Sequence, residues 1–250
     1  MTRRFAALAV LAALATAACE PGQLGTAAPA HMPAADAVSE AAAQAQASVP
    51  GAAQTASEVL ATLTVKGRAP KTGYARDQFG PAWSDVDHNG CDTRDDVLAR
   101  DLTGETFKPG THDCVVLAGI LADPYTGQTL EFRKGDGTSV DIDHVVALKE
   151  AWESGARKWS ATNRSRYAND LAFWPSLVAV TDNVNQSKGD RDPAAWLPPR
   201  AGAQCTYAIH WVQVKYRWRL SVDSAERSSL SSVLSGSCGS RKVALPSRGI

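Results

Sequence analysis

Two short segments contain residue types that could hydrolyse a phosphodiester bond with the help of a metal ion. The first has Asp143 directly before His144, and the second has Asn185 followed three residues later by Lys188. A histidine with a pKa of about 6.5 can take a proton from water at neutral pH. Carboxylate and amide oxygens are hard donors that suit Mg²⁺ or Mn²⁺ better than Zn²⁺. A metal bound by such groups could stabilise the charge that develops during hydrolysis.

These residues form one site only if the fold brings two distant segments together, because Asp143 and Asn185 are 42 positions apart. Hydrophobic periodicity and helix-end signals predict strands over Val140–Val146 and Leu177–Val180, and a helix from Thr181 or Asp182 to Gly189. Successive strand residues point to opposite faces. Asp143 and His144 can therefore face the same site only where the first strand ends or twists.

The two segments resemble an HNH endonuclease, and more closely the exported branch of the DUF1524 family. The resemblance extends over most of Tyr74–Cys238. Its matching blocks are Asn89–Arg94, Asp123–Gly127, Asp143–Leu148, Asn185–Asp190 and Trp196–Pro199. An Asp-His pair alone is a weak signal, whereas these blocks together are specific.

The resemblance implies a ββα-metal site, in which a strand hairpin and a helix packed across it hold one divalent metal ion. By position in the family pattern, Asp143 and Asn185 are the metal ligands and His144 is the general base. Lys188 lies one helical turn beyond Asn185, where it could contact phosphate.

One position departs from the family pattern. The Asn that orients the base in the family falls at Ser176 here, which places Ser176 in the catalytic set with a shorter side chain. Asn169, Asn183 or a backbone carbonyl could orient His144 instead. The sequence leaves these alternatives open.

A second metal site is suggested by an acidic loop. Asp85, Asp87 and Asn89 occupy alternate positions, Gly90 lies at the turn position, and Asp96 is twelfth, as in an EF-hand. The flanking residues do not predict EF-hand helices, and the loop contains a cysteine. Three interpretations stay open: Ca²⁺ binding, a polar loop held by a disulfide, and a loop from which Arg94 or His88 faces the active-site cleft.

A basic surface is predicted near the C-terminus. The run Val212–Leu220 is predicted to be a strand, in which Lys215, Arg217 and Arg219 alternate with aromatic residues. Such a strand would present one basic face that could follow a phosphate backbone. The alternative is a solvated strand edge. The net charge of the chain is zero, so the overall charge does not indicate a partner.

The N-terminal residues predict export. Residues 1–19 have a charged start, an apolar stretch too short to span a membrane well, and small residues before Cys19. Cys19 occupies the position of a lipid-modified cysteine in a bacterial lipoprotein, so a lipid anchor to the membrane and simple release are the alternatives. Residues 20–59 are rich in Ala, Pro and Gln and predict a disordered tether.

The remaining four cysteines are expected to be paired, because exported domains tend to oxidise their thiols. We favour Cys91–Cys114 and Cys205–Cys238, since each pair closes a short local loop.

Together these features predict an α+β fold, with the HNH core embedded in one disulfide-stabilised domain over residues 60–250. The predicted function is an exported, Mg²⁺- or Mn²⁺-dependent endonuclease, with DNA the favoured substrate. The alternative is a non-catalytic surface protein on the same scaffold, stabilised by Ca²⁺ and binding nucleic acid or cell-wall material.

Overall fold

The computed structural model describes residues 53–135, 137, 140–236 and 238–250. The export signal over residues 1–19, with Cys19, and the tether as far as residue 52 lie outside the described residues. The described part of the chain is a mixed α+β fold with seven strands and seven α-helices. No helix in this part of the chain is both long and apolar enough to cross a membrane.

The strands are β1 (Gln54–Thr55), β2 (Leu102–Phe107), β3 (Val116–Ala122), β4 (Thr129–Arg133), β5 (Val140–His144), β6 (Leu177–Thr181) and β7 (Lys242–Val243). The helices are α1 (Ala56–Thr62), α2 (Thr93–Asp101), α3 (Leu148–Ser154), α4 (Ala161–Ala168), α5 (Asp182–Lys188), α6 (Ala201–Arg217) and α7 (Ser224–Val233). Three short 3-10 turns cover Arg76–Phe79, Ala156–Lys158 and Trp174–Ser176.

The strands form three small antiparallel sheets. Strand β3 lies between β2 and β4, β5 pairs with β6, and β1 pairs with β7. In the β5–β6 pair, Asp143 lies opposite Val178 and His144 lies opposite Leu177. Helix α5 follows β6 directly, so the predicted order of two paired strands and a helix is confirmed.

The β5–β6 pair is held firmly because β6 is buried on both faces. Val178 and Val180 pack into the larger core, which surrounds α6. Leu177 and Ala179 pack into a second core, formed with α2 and the β2–β3–β4 sheet. Alternate strand residues point to opposite faces, so each face of β6 enters a different core.

Helix α5 ends where the sequence predicts. Gly189 follows the helix with a φ of 54°, a left-handed conformation that glycine adopts without a steric penalty. Helix α7 begins at Ser224, directly after Asp223. The Asp223 side chain accepts from the backbone of Glu226, whose carboxylate accepts from the backbone of Asp223 in return, forming a capping box.

The start of the domain differs from the prediction. Residues 54–59 were expected in the tether, but β1 and helix α1 occupy this region. Thr55 and Glu58 cap the helix reciprocally. Ala56, Val59 and Leu60 are buried. Their spacing of three and four residues is that of one helix face, so the packed domain begins before residue 60.

The predicted strand over Val212–Leu220 is wrong, because most of this run belongs to helix α6. The alternation of apolar and basic residues suggested a strand, but α6 is buried around much of its circumference and needs no polar face there. The helix ends near Trp218, and Arg219 takes a left-handed φ of 51°.

Both predicted disulfides are present. Cys91 bonds to Cys114 and Cys205 bonds to Cys238. The first links the acidic loop to the start of β3, and the second links α6 to the segment after α7.

Candidate active site

The end of strand β5 places Asp143 and His144 in the protein interior. Asp143 is 4% exposed and His144 is 8% exposed. Both residues line a cavity of about 200 Å³, here called the central cavity, which Asn185 of α5 also lines. The fold therefore brings together three of the residues that the sequence predicted for the site.

The Asp143 carboxylate accepts hydrogen bonds from two side chains of the described ranges. Lys188 Nζ donates to Oδ1 at 2.7 Å, and Tyr125 Oη donates to Oδ2 at 2.7 Å. Burial raises the pKa of Asp143 above its ordinary value, and Lys188 opposes this shift. The ion pair with Lys188 is what favours a charged carboxylate at a position that water barely reaches.

The sequence assigned Lys188 to phosphate contact, and the structure contradicts this. The Lys188 side chain is fully buried, and Nζ also donates to the His144 carbonyl at 2.9 Å. Because Lys188 lies one turn after Asn185 at the end of α5, its side chain reaches Asp143 from inside the protein. It neutralises the carboxylate and holds α5 against β5.

Tyr125 belongs to the turn that follows β3. The Asp123 carboxylate fixes this turn, because it accepts from the backbone of Tyr125 at 2.7 Å and of Thr126 at 3.0 Å. Its second oxygen accepts from the backbone and hydroxyl of Thr181, both at 2.8 Å. The turn is thus attached to the end of β6, which aims the Tyr125 hydroxyl at Asp143.

A backbone carbonyl orients the His144 ring. His144 Nε2 lies 2.9 Å from the Ala168 oxygen. A carbonyl can only accept, so Nε2 carries the proton and Nδ1 of the neutral ring has a free lone pair. Burial lowers the pKa of His144 to about 3, and Arg76 and Lys188 add to the effect while the Ala168 hydrogen bond opposes it. The ring is therefore neutral at pH 7 with the Nδ1 lone pair available, although the same burial lowers its affinity for a proton.

Ser176 does not orient His144, as the family pattern had suggested. Its hydroxyl donates instead to Asp170 at 2.7 Å. Arg217 binds the same carboxylate through two nitrogens, at 2.8 and 2.9 Å, and Trp218 Nε1 donates to it at 2.9 Å. These contacts fix the segment that presents the Ala168 carbonyl, so Ser176 acts at a distance from the ring.

The two Asn candidates for the same role are also excluded. Asn169 accepts from the backbone of Ser84 and donates to the Ser165 carbonyl, both at 3.0 Å. Asn183 is exposed on α5. Of the alternatives left open by the sequence, the backbone carbonyl is the one that the structure contains.

Asn185 is half-buried, and its amide nitrogen donates to Asp141 Oδ2 at 2.9 Å. Its amide oxygen makes no hydrogen bond to another described residue. Asp141 and Asp143 are two residues apart on β5, so they share one face of the strand. Asp141 is therefore an additional carboxylate beside the site, which the sequence analysis did not single out.

Arg76 is a cation of the central cavity that sequence reasoning missed. It lies in the 3-10 turn Arg76–Phe79 and is exposed, and no described carboxylate pairs with it. It lines the same cavity as Asp143 and His144. Its position more than 60 residues before β5 gave no local signal.

The donor set fits a hard divalent cation. Asp143 uses about two of the four acceptor positions of its carboxylate for hydrogen bonds, and the Asn185 oxygen is free. His144 Nδ1 has no partner among the described residues. Oxygen ligands and an adjacent free base are the combination expected for Mg²⁺ or Mn²⁺.

Two of the three residues predicted to contact nucleic acid are internal. Lys215 is fully buried and pairs with Glu150 and Glu226, both at 2.7 Å. Arg217 is buried on Asp170. Arg219 is exposed, but the basic strand face that would have included it does not exist. The predicted surface is wrong because the partners of these cations come from distant segments.

Lys215 belongs to a second cluster of charges, here called the acid-rich network. Arg68 and Lys215 are its cations, and Arg68 contacts four carboxylates. The carboxylates are Glu150, Glu153, Asp192, Asp223 and Glu226. Three of them, Asp192, Asp223 and Glu226, have oxygen atoms within 4.8 Å of one another. Arg68 already pairs with the first two and Lys215 with the third.

The acidic loop brings its predicted residues together. The Asn89 amide donates to Asp96 at 2.9 Å and to Asp87 at 3.3 Å, and the Gly90 backbone donates to Asp85 at 3.1 Å. One buried oxygen each of Asp85 and Asp96 has no donor among the described residues. Ca²⁺ binding here stays a prediction.

Residues 92–233 match the family model of the "GmrSD restriction endonucleases, C-terminal domain". A protein of Arthroderma benhamiae named "Uncharacterized secreted protein" is 44% identical over 182 residues, which cover 73% of this chain and 84% of that protein. No solved structure matches the chain. Asp143, His144 and Asn185 lie within the matched range, whereas Arg76 lies before it.

Proposed function

Because the chain belongs to the family of GmrSD restriction endonuclease C-terminal domains, we propose that it is a metal-dependent endonuclease of the HNH type. The substrate is nucleic acid, with DNA favoured. The observation that supports this most directly is the pairing of a neutral, carbonyl-oriented His144 with Asp143 on one cavity wall.

In this proposal Asp143 and Asn185 hold one Mg²⁺ or Mn²⁺ ion. When bound, the metal stabilises the negative charge that develops on the phosphate and on the leaving oxygen. Asp143 contributes the formal charge and Asn185 a neutral oxygen. Lys188 and Tyr125 are positioning residues, since their hydrogen bonds fix the Asp143 carboxylate.

His144 is the general base. The Ala168 carbonyl holds the proton on Nε2, so the lone pair on Nδ1 is available to take a proton from an attacking water. Arg76 binds the substrate phosphate in place of Lys188. Its guanidinium is exposed at the cavity and has no carboxylate to satisfy it among the described residues.

The competing proposal, a non-catalytic scaffold, would be favoured if the short Ser176 side chain left His144 poorly oriented. That argument loses its basis because the Ala168 carbonyl orients the ring. A catalytic role is therefore the better explanation of a buried, neutral histidine beside a buried carboxylate.

Export is supported by the signal predicted over residues 1–19 and by two disulfides. The name of the Arthroderma benhamiae relative agrees with it. The mass of the mature protein distinguishes a lipid on Cys19 from cleavage and release. We further propose that the acidic loop at Asp85–Asp96 binds a structural Ca²⁺ ion.

The test is cleavage of plasmid DNA by the purified domain with Mg²⁺ and with EDTA. We expect nicking and linearisation with Mg²⁺ and none with EDTA. Restoration of cleavage when Mg²⁺ is added back in excess controls for loss of fold. Equal cleavage in EDTA would overturn the metal mechanism, and no cleavage of any nucleic acid would overturn the enzyme proposal.

A further inference from the structure

A second cavity opens beside His144, and the proposed reaction does not use it. It has a volume of about 360 Å³ and is here called the aromatic cavity. Phe79, Pro81, Ala82 and Trp83 form most of its apolar lining. Its size lies within the range of small-molecule sites in proteins. It lies largely outside the residues that match the family model, which begin at residue 92.

The aromatic cavity is continuous in its lining with the central cavity, because Arg76, His144 and Leu148 line both. The Trp83 ring lies nearly parallel to the His144 ring, with an interplanar angle of 13° and centroids 5.8 Å apart. A ligand whose phosphate lies at Arg76 would therefore have a planar aromatic wall within reach.

The cavity wall is attached to the rest of the fold at three points. Arg164 Nε donates to the Gln78 carbonyl at 2.6 Å, and the Ser84 backbone donates to Asn169 at 3.0 Å. Gly80 lies so close to α4 that a Cβ there would be 3.1 Å from the Ser165 hydroxyl oxygen. These contacts support a cavity that exists before a ligand arrives, which reduces the entropy cost of binding.

We propose that the aromatic cavity binds the base of an unpaired nucleotide next to the scissile phosphate, so that single-stranded nucleic acid is bound in preference to duplex. The inference rests on the proposed nuclease function. A nucleobase is flat and apolar on its faces, which suits Trp83. Its backbone phosphate suits Arg76, which forms no ion pair within the described part of the chain.

Double-stranded DNA should bind poorly to the aromatic cavity. Its bases are stacked and paired inside the helix, so placing one in the cavity requires unstacking it and flipping it out of the duplex. An unpaired base needs no such step. Stacking on an aromatic side chain contributes about 1–3 kcal/mol per base, which corresponds to roughly 5- to 150-fold in affinity.

The test measures binding of a fluorescent 12-nucleotide single strand and of its duplex in EDTA, so that cleavage does not interfere. We expect the wild type to bind the single strand at least 10-fold more tightly. Trp83→Ala should lose at least 5-fold of single-strand affinity, and Trp83→Phe should lose less. A second probe is the same strand with an abasic nucleotide at every position. The wild type should bind it more weakly than the normal strand, whereas Trp83→Ala should bind the two strands equally.

Trp174→Ala is the matched control, because Trp174 is 37% exposed and lines neither cavity. It should bind like the wild type, and thermal melting of each variant checks the fold. Equal affinity for single strand and duplex, or an unchanged affinity of folded Trp83→Ala, overturns the inference. The predicted binding pattern without any Mg²⁺-dependent cleavage would instead overturn the nuclease proposal and leave the base site in place.

Discussion

The protein contains two clusters of buried charge, and each has a fully buried lysine at its centre. In the acid-rich network, Lys215 pairs with two glutamates, and Arg68 contacts four carboxylates. At the central cavity, Asp143 is the one carboxylate in the described part of the chain that pairs with Lys188. The first cluster uses its cations to neutralise protein carboxylates. The second leaves groups beside a cavity that no described residue binds.

The difference lies in what remains unsatisfied. Around the central cavity, His144 Nδ1 and the Asn185 oxygen lack a partner among the described residues, and Arg76 lacks a carboxylate there. Burial of charge is thus a feature of both a structural and a candidate catalytic cluster in this protein. In the acid-rich network Glu150 Oε2 also lacks a hydrogen bond, but it still contacts the Arg68 guanidinium at 2.6 Å. Unpaired groups that face a cavity therefore distinguish the candidate catalytic cluster, and substitutions should show the difference.

The largest expected effect is on stability, from Lys215→Met. Removing this cation leaves Glu150 and Glu226 buried without their shared partner, which we expect to cost about 3–5 kcal/mol of unfolding free energy. Lys188→Met should cost less, because Asp143 keeps the Tyr125 hydrogen bond and borders a cavity that water can enter. Urea unfolding of both variants measures this. An equal or larger loss for Lys188→Met would refute the distinction.

Next is the effect of the proposed metal ligands on cleavage. Asp143→Ala removes the only formal charge among the ligands and should lower the rate by about 10²-fold or more. Asn185→Ala removes a neutral oxygen, so its cleavage rate should fall less, roughly 10-fold. Excess Mg²⁺ or Mn²⁺ should restore the activity of Asn185→Ala better than that of Asp143→Ala. The rate is titrated against metal concentration for each folded variant. Wild-type activity of either variant at low metal removes that residue from the site.

A smaller effect concerns the pH dependence of stability. Burial raises the pKa of Glu150 from its ordinary value of 4.5 to about 7, and Lys215 opposes the shift. The folded state then holds this proton more tightly than the unfolded state, so the stabilisation is lost as the pH rises from about 4.5 to about 7. Gln at position 150 cannot titrate. Between pH 4.5 and pH 7 the unfolding free energy of Glu150→Gln should therefore fall by about 1–3 kcal/mol less than that of the wild type.

The control for that measurement is Glu131→Gln, an exposed glutamate on β4, which should follow the wild type. If Glu150→Gln and the wild type lose the same stability between pH 5 and pH 8, the raised pKa of Glu150 is wrong.

Some of this architecture could be predicted and some could not. Strands β5 and β6 and helix α5 were predictable because their signals are local, namely strand-like apolar runs and a glycine stop. Lys215 and Arg217 were misplaced because their partners Glu150 and Asp170 lie 65 and 47 positions away. A chain of alternating residues looks the same whether its cations face water or distant carboxylates.

The orientation of His144 was beyond sequence reasoning for a different reason. Its partner is a backbone carbonyl at Ala168, 24 positions away. Every residue has a carbonyl, so residue type gives no indication of which one will be used. Tyr125 was visible within a turn motif, but only the attachment of that turn to β6 directs its hydroxyl to Asp143.

The smallest expected effect is that of Ca²⁺ on the acidic loop. Binding at Asp85 and Asp96 should stabilise the wild type by about 1 kcal/mol, which raises the melting temperature by about 2–4 °C over that in EGTA. Asp96→Asn should abolish this difference, whereas Asp113→Asn, an exposed acid outside the loop, should keep it. A melting temperature of the wild type that Ca²⁺ does not change would refute the site.

The most direct test of the central claim compares two buried histidines. His144 borders the central cavity, while His210 is equally buried on α6, is 8% exposed, and lines neither cavity described here. The measurement is the cleavage rate of His144→Ala and His210→Ala with Mg²⁺, each shown to be folded by circular dichroism. We expect the cleavage rate of His144→Ala to fall by about 10²–10⁴-fold, the range for loss of a general base. The rate of His210→Ala should stay within a few-fold of that of the wild type. A His144→Ala variant that cleaves at the wild-type rate would contradict the account.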